Sequence, residues 1–306
     1  MGFDLNVIPA EAGIQPKMER SDTPRETAKA ADGYALAVTR FPAKGTPWAT
    51  LCIGAAMGVR QDFYAPFATF LADSGIHVLT FDYRGSGWSR PRKLADFPAT
   101  VTEWAELDLN AMLAEARRPG PELPLLFVGH SLGGQILGLL PDNGKVSAAL
   151  NVTAGSGYYK LNEKMGPHVR LLWFVIMPAL LPLFGFFPGK KLRMIGDLPM
   201  GVAWQWRKWC LHPDYVLSEG GEAYASFARM KAPILSLSFT DDPMISRRAT
   251  ESLEGFYPNA RMDARHIAPG EMGVERIGHF GFFHPGSRDR LWAEALAWFR
   301  KEIGGE

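Results

Sequence analysis

The stretch Leu123-Pro124-Leu125-Leu126-Phe127-Val128-Gly129-His130-Ser131-Leu132-Gly133-Gly134 decides how the chain is read. An apolar run of strand character leads into a serine set between two glycines. The residues after it, Leu132 to Leu140, read as a helix that Pro141 ends. A serine at a sharp strand-to-helix turn has its hydroxyl exposed, with a helix N-terminus behind it. The backbone N–H of Leu132 then becomes one donor for a developing oxyanion. A serine is a weak nucleophile alone, so the reading stands or falls with its partners.

Outward from this turn, strand-like and helix-like runs alternate. Residues 34–41 and 48–56 read as strands, and 62–75 as a helix that stops at Gly75. Residues 76–83 read as a strand, 102–118 as a helix with Thr102 as its N-cap, and 146–154 as a strand. The rhythm breaks near Gly155 and resumes near Ala232. A buried strand (232–239), a helix (247–257), a strand (260–268) and a final amphipathic helix (288–303) follow. Such alternation predicts an α/β fold, a mostly parallel sheet flanked by helices, with reactive groups in loops at the carboxyl ends of the strands. The expected organisation is a loosely ordered tail over 1–30, a core of 31–154 and 230–306, and an apolar helical cap over 155–229.

On that fold the partners of a nucleophilic serine follow it in the order acid, then histidine. Asp241 and Asp242 come just after the strand 232–239, and His279 lies in the loop before the last helix. Asp242 is favoured as the acid because it precedes Pro243-Met244-Ile245, and Asp241 is expected to cap the following turn. The second oxyanion donor is expected in the turn Gly54-Ala55-Ala56-Met57-Gly58, as the N–H of Met57. His77, His130, His168, His212, His266 and His284 read as structural. His130, inside the turn, is too close to Ser131 in sequence to reach back as its base.

With these residues in view, the chain resembles the α/β-hydrolase superfamily. The resemblance rests on Gly129 to Gly134, on Asp82-Tyr83-Arg84-Gly85-Ser86-Gly87-Trp88-Ser89, on Asp242 and on His279. It looks most like the serine-aminopeptidase-like, or monoacylglycerol-lipase-like, branch. In those relatives the second segment shapes a loop near the active site, and here Asp82 and Arg84 read as structural. Many relatives carry His-Gly at the oxyanion turn, where this chain has Ala55-Ala56. The resemblance implies a serine hydrolase that forms an acyl-enzyme on Ser131 and needs no metal or organic cofactor. The same triad would serve acyl transfer to an alcohol or thiol. A non-catalytic binding protein on this fold would usually have lost a triad member, and all three are present.

The bulk composition narrows the partners. A net charge of +1 with no long run of like charge gives no footprint for nucleic acid. Cys52 and Cys210 sit in apolar surroundings with no metal-ligand spacing, as expected of free thiols in a reducing, cytoplasmic setting. No basic start followed by an apolar core marks the first residues as a secretory signal. The uncharged run from Leu171 to Pro188 touches the length of a membrane helix, but Pro178, Pro182, Gly185 and Pro188 interrupt it. A span there would also put the two halves of one sheet on opposite sides of a bilayer. The run is therefore expected to form the cap, with Lys190, Lys191 and Arg193 suggesting transient membrane contact. Trp204 and Trp206 are candidates for a substrate-binding wall, and an apolar cap favours a hydrophobic ester.

Overall fold

The computed structural model describes residues 26–192 and 194–304. Eight strands form one twisted sheet. In chain order the elements begin with β1 (Glu26–Lys29), β2 (Ala35–Phe41), β3 (Ala49–Gly54), α1 (Ala65–Asp73) and β4 (Ile76–Phe81). Helix α2 (101–117), β5 (Leu125–His130), α3 (Leu132–Gln135) and β6 (Ala148–Val152) complete the first half. The segment expected as the cap follows: α4 (166–184), the short ribbon β7 (Phe186–Phe187) and β8 (Leu198–Pro199), α5 (Met200–Leu211) and α6 (Gly221–Arg229). The second half is β9 (Ile234–Phe239), α7 (Arg247–Glu254), β10 (Met262–Ile267) and α8 (288–302).

The sheet order is β1-β2-β4-β3-β5-β6-β9-β10. The β1–β2 and β2–β4 pairs are antiparallel, and every other pair is parallel. Sequence order reverses on either side of β3, so the crevice at its carboxyl end is the switch point where such sheets bind ligands. The central strands β3, β5, β6 and β9 are buried along their whole length, as parallel strands covered by helices on both faces must be.

Four local features differ from the sequence-based expectation. Residues 26–29, assigned to the tail, form an edge strand on β2; the rest of that segment, residues 1–25, lies outside the described residues. The N-cap of α2 is Thr100, whose hydroxyl accepts the Glu103 N–H while the Glu103 carboxylate accepts the Thr100 N–H. This reciprocal capping box outcompetes Thr102, which has no acid three residues on. The helix expected to run from Leu132 to Leu140 lasts one turn and relaxes into a 3₁₀ turn at Leu137–Leu139. Glycines at 133, 134 and 138 make that stretch a poor helix. Finally, α6, expected as the last helix of the cap, packs its buried Phe227 on Gly138 of that 3₁₀ turn and on Tyr257 after α7, so it rests on the core.

The loop after β4 is built from buried charge. Arg84 donates to Asp108 and to Asp32, and the Trp104 indole donates to the Arg84 carbonyl at 2.9 Å. Asp82 accepts from the backbone N–H groups of Gln61 and Trp88, both at 2.9 Å, and from the Gln61 side chain. Asp82 and Arg84 thus hold the loop, as their structural reading requires. With only neutral donors against it, burial pushes the Asp82 carboxyl up to about 6.

Two outcomes follow from this packing. A Cβ on Gly133 would lie 2.1 Å from the Gly54 carbonyl oxygen, which is backbone and cannot give way. Gly133→Ala is expected to lower the unfolding free energy by about 1–3 kcal/mol or more in urea titrations. For Asp82 the folded-state value lies above the usual 3.8. Its favourable contribution is therefore complete below the unfolded value and is lost as the pH rises through about 6. Stability measured across that interval should fall less steeply with pH in Asp82→Asn than in the parent protein; equal slopes would contradict the shift.

Candidate active site

Ser131 follows β5 directly and has φ 48° and ψ −110°. A non-glycine residue pays on the order of 1–3 kcal/mol for such a backbone, and strain of this kind collects at functional turns. The turn is held by the Ser131 N–H, which donates to the Val152 carbonyl at 2.9 Å. Leu132 is the first helical residue, so its N–H has no acceptor within α3. Ser131 is half-buried while its neighbours on both sides are buried.

Asp242, three residues past β9, and His279, in the loop after β10, meet in the interior. The His279 Nδ1–H donates to Asp242 Oδ2 at 2.8 Å, and the two residues are 3% and 1% exposed. The other carboxylate oxygen of Asp242 accepts the N–H groups of Met244, at 2.7 Å, and Ile245, at 3.1 Å. With Nδ1 carrying the proton, Nε2 is left as the basic nitrogen. Asp241 does not cap the following turn, which Asp242 already serves. Its Oδ2 accepts the N–H groups of Ile277 and Gly278, at 2.8 and 2.9 Å, and so pins the loop that carries His279. The adjacent aspartates thus differ in what they hold. Asp242 orients the imidazole, and Asp241 fixes the backbone just before it.

A second hydrogen-bond chain connects the three loops. The Ala56 N–H donates to Tyr64 Oη at 2.9 Å, and Tyr64 Oη lies 2.9 Å from His130 Nδ1. His130 Nε2 lies 3.0 Å from the His279 carbonyl oxygen. That carbonyl can only accept, so His130 Nε2 carries the proton, Nδ1 accepts from the tyrosine, and the tyrosine accepts from Ala56. Every group in the chain then has a consistent role. Burial, helped by the nearby His279 ring, holds His130 well below the usual histidine range, in the neutral form the chain requires. Burial pushes the Tyr64 phenol up, so it keeps the proton it donates. The Thr153 hydroxyl, 3.2 Å from the same His279 carbonyl, belongs to another residue of positive φ (48°). His279 is therefore anchored to the residue preceding Ser131 and to the one following Val152, which holds Ser131.

The turn after β3 lies within this network. Its Ala56 N–H is committed to Tyr64, and the Val59 N–H donates to the Ala56 carbonyl; Met57 N–H takes part in neither bond. Gly58 follows with φ +69°. A Cβ there would lie 2.6 Å from the backbone of Gly196, so a cap loop rests on the turn. At the cap's other end Lys164 donates to the carbonyls of Thr240 and Asp242, tying the cap to the acid loop. Trp204 and Trp206 are half-buried on α5. The Trp206 ring stands edge-on to Trp173 of α4 at 4.8 Å, a contact within the cap. Cys52 and Cys210 are buried free thiols. Among the described residues no group of three His, Cys, Asp or Glu could hold a metal ion.

The Tyr64, His130 and Asp241 roles escaped the sequence reading. The signal for His130 was its place on β5, where alternation turns its ring from the side that Ser131 faces; nothing in the sequence names Tyr64 or Ala56 as its partners.

Comparison with known proteins gives a consistent frame. A search of curated protein sequences finds no match. Among solved structures, a thermostable carboxyl esterase from Bacillus coagulans is 10% identical, with a TM-score of 0.61 over 92% of this chain and 98% of that one. An esterase from Pyrococcus furiosus is 12% identical, with a TM-score of 0.56 over 94% and 95% of the two chains. A bacterial membrane phospholipase A described as a virulence factor is 17% identical, with a TM-score of 0.57 over 92% and 87%. At these identities the likeness is one of fold. The sequence profile described as "Alpha/beta hydrolase family" matches residues 45–288, a span that runs from before β3 to past His279. The chain belongs to the alpha/beta hydrolase family.

Proposed function

We propose that the chain is a serine hydrolase that cleaves a hydrophobic carboxylic ester through an acyl-enzyme on Ser131. The observation that carries this reading is the buried 2.8 Å bond from His279 to Asp242, in a loop tied by its carbonyl to the residue before Ser131. In this reading Ser131 Oγ attacks the ester carbonyl and passes its proton to His279 Nε2. The Asp242 carboxylate holds the imidazolium that forms. The N–H groups of Leu132 and Met57 receive the charge on the former carbonyl oxygen, as donors that need no reorganisation. His279 then gives its proton to the departing alkoxide. In the second half it takes a proton from the water that attacks the acyl-enzyme and returns it to Ser131 Oγ as the tetrahedral intermediate collapses and the acid leaves.

Tyr64 and His130 act as positioning residues. Their chain spans from Ala56, next to the donor Met57, to the backbone of His279, so it sets the base and one oxyanion donor relative to each other. The apolar cap supports a hydrophobic acyl group and keeps water from the site. In this reading Trp204 and Trp206, both half-buried on α5, line the acyl path, the first beside the Arg207 guanidinium and the second edge-on to Trp173. The esterase and phospholipase names of the structural neighbours favour an ester over an amide, and the Gly129–Gly134 and Asp82–Ser89 segments favour the monoacylglycerol-lipase-like branch.

A fluorophosphonate probe is expected to label the native protein and not Ser131→Ala, whose turnover of a p-nitrophenyl ester should fall on the order of 10⁶-fold. Retained turnover by that variant would overturn the assignment. Tyr64→Phe removes one hydroxyl and keeps the ring. It should reduce kcat about ten- to a hundred-fold with KM unchanged, less than the loss of an oxyanion donor. A rise in KM at constant kcat would show that the chain serves substrate binding instead.

A further inference from the structure

The outer face of α4 is apolar, and no described residue covers it. The helix buries Val169, Leu172, Trp173, Met177 and Leu181 against the rest of the molecule. Its opposite face, where an ordinary surface helix would be polar, carries Leu171, Phe174, Val175 and Leu183, which are 38%, 53%, 55% and 73% exposed. Ala179 and Pro182 continue the same surface. No charged residue occurs between Arg170 and Lys190. Exposed large apolar side chains gathered on one element mark a contact surface.

The charges at its rim indicate what covers it. Arg170 stands at one end and Lys190 and Lys191 at the other; all three are exposed and make no ion pair with a described residue. The Lys191 ammonium lies over the Phe184 ring, 5.5 Å from its centroid, so the cation is continuous with the apolar face. Of the nearby carboxylates, Asp197 is taken by Arg90 and the Lys190 N–H, and exposed Asp96 lies beside Gly185 with Arg92 and Lys93 in its own loop. A second copy docked by a two-fold axis would set these cationic ends against one another or against themselves. Anionic lipid headgroups around an apolar layer match both features.

We propose that this face of the cap docks on a membrane surface rich in anionic lipid, with Phe174, Val175 and Leu183 entering the headgroup–acyl boundary and Arg170, Lys190 and Lys191 at the phosphates. The helix lies on the surface and does not cross it: no helix among the described residues is long and apolar enough to span a membrane. The loop between β7 and β8 that carries Lys190 and Lys191 is also the loop that rests on the turn after β3, because Gly189 packs on Gly196 and Gly196 on Gly58. The lipid surface would therefore lie against the roof of the site, where an apolar ester could enter without crossing water.

The test is co-sedimentation of the full chain with phosphatidylcholine vesicles, with and without phosphatidylglycerol, across a salt series. Binding is expected only with the anionic lipid, and should weaken as salt is raised. Leu183→Glu, a change at an exposed site, should reduce partitioning about tenfold or more. It should leave turnover of a short soluble ester within about twofold. Lys190→Gln together with Lys191→Gln should flatten the salt dependence. Ser131→Ala should bind as the parent does, so a failed catalytic reading would leave the docking result intact. Equal binding to both vesicle types would overturn the proposal, as would undiminished binding by Leu183→Glu. A parent that ignores vesicles but sediments as a dimer, and that Leu183→Glu turns into a monomer, would assign the face to self-association instead.

Discussion

The geometry at the carboxyl edge of the sheet depends on how closely the chain after Ser131 can lie on the strands beneath it. Side chains are excluded from this contact. A Cβ on Gly129 would lie 2.5 Å from the backbone of Gly134, and one on Gly133 still closer to Gly54. With these atoms absent, the backbone can turn through the strained conformation of Ser131 and present the first N–H of α3 beside it. The strain is local, and the burial of β3, β5 and β6 over their full length supplies the rigidity that maintains it.

From that edge the site is assembled mainly by main-chain hydrogen bonds. Asp241 and Asp242 between them accept four backbone N–H groups. The His279 carbonyl takes donors from two separate strand ends, His130 as the last residue of β5 and Thr153 just after β6. Such bonds fix loops through atoms that every residue possesses. In the proposed mechanism the side-chain chemistry falls to Asp242 Oδ2, the imidazole of His279 and the hydroxyl of Ser131. The neutral state of His130 fits the same arrangement: a charged imidazole here would lose its acceptor role toward Tyr64 and repel a protonated His279.

What could be read in the sequence is what periodicity and loop order encode. The buried strands announced themselves as short apolar runs, and the Ser131, Asp242, His279 order placed each residue on a loop at one sheet edge. The expectations that failed turned on competition between local options. Thr100 and Thr102 are both plausible caps, and only the spacing to Glu103 separates them. Leu132–Leu140 has the apolar content of a helix, but three glycines lower its propensity. Glu26–Lys29 has little apolar character, and its pairing with β2 supplies an edge that its composition does not demand. The Ala56–Tyr64–His130–His279 chain joins residues far apart in sequence, and no spacing rule reaches that distance.

The contact of Gly58 with Gly196, and of Gly196 with Gly189, has a consequence for how such a fold can diversify. Backbone meets backbone there, without a cushion of side chains. A cap taken from another member of the family would have to bring glycines at the same two places, or else push the oxyanion turn out of register with Ser131. Lengthening the loop between β7 and β8 would have the same effect. Roof and proposed reaction centre are therefore one mechanical unit, and changes of size are accommodated in the helices of the cap more readily than in the short loop by which it touches the floor.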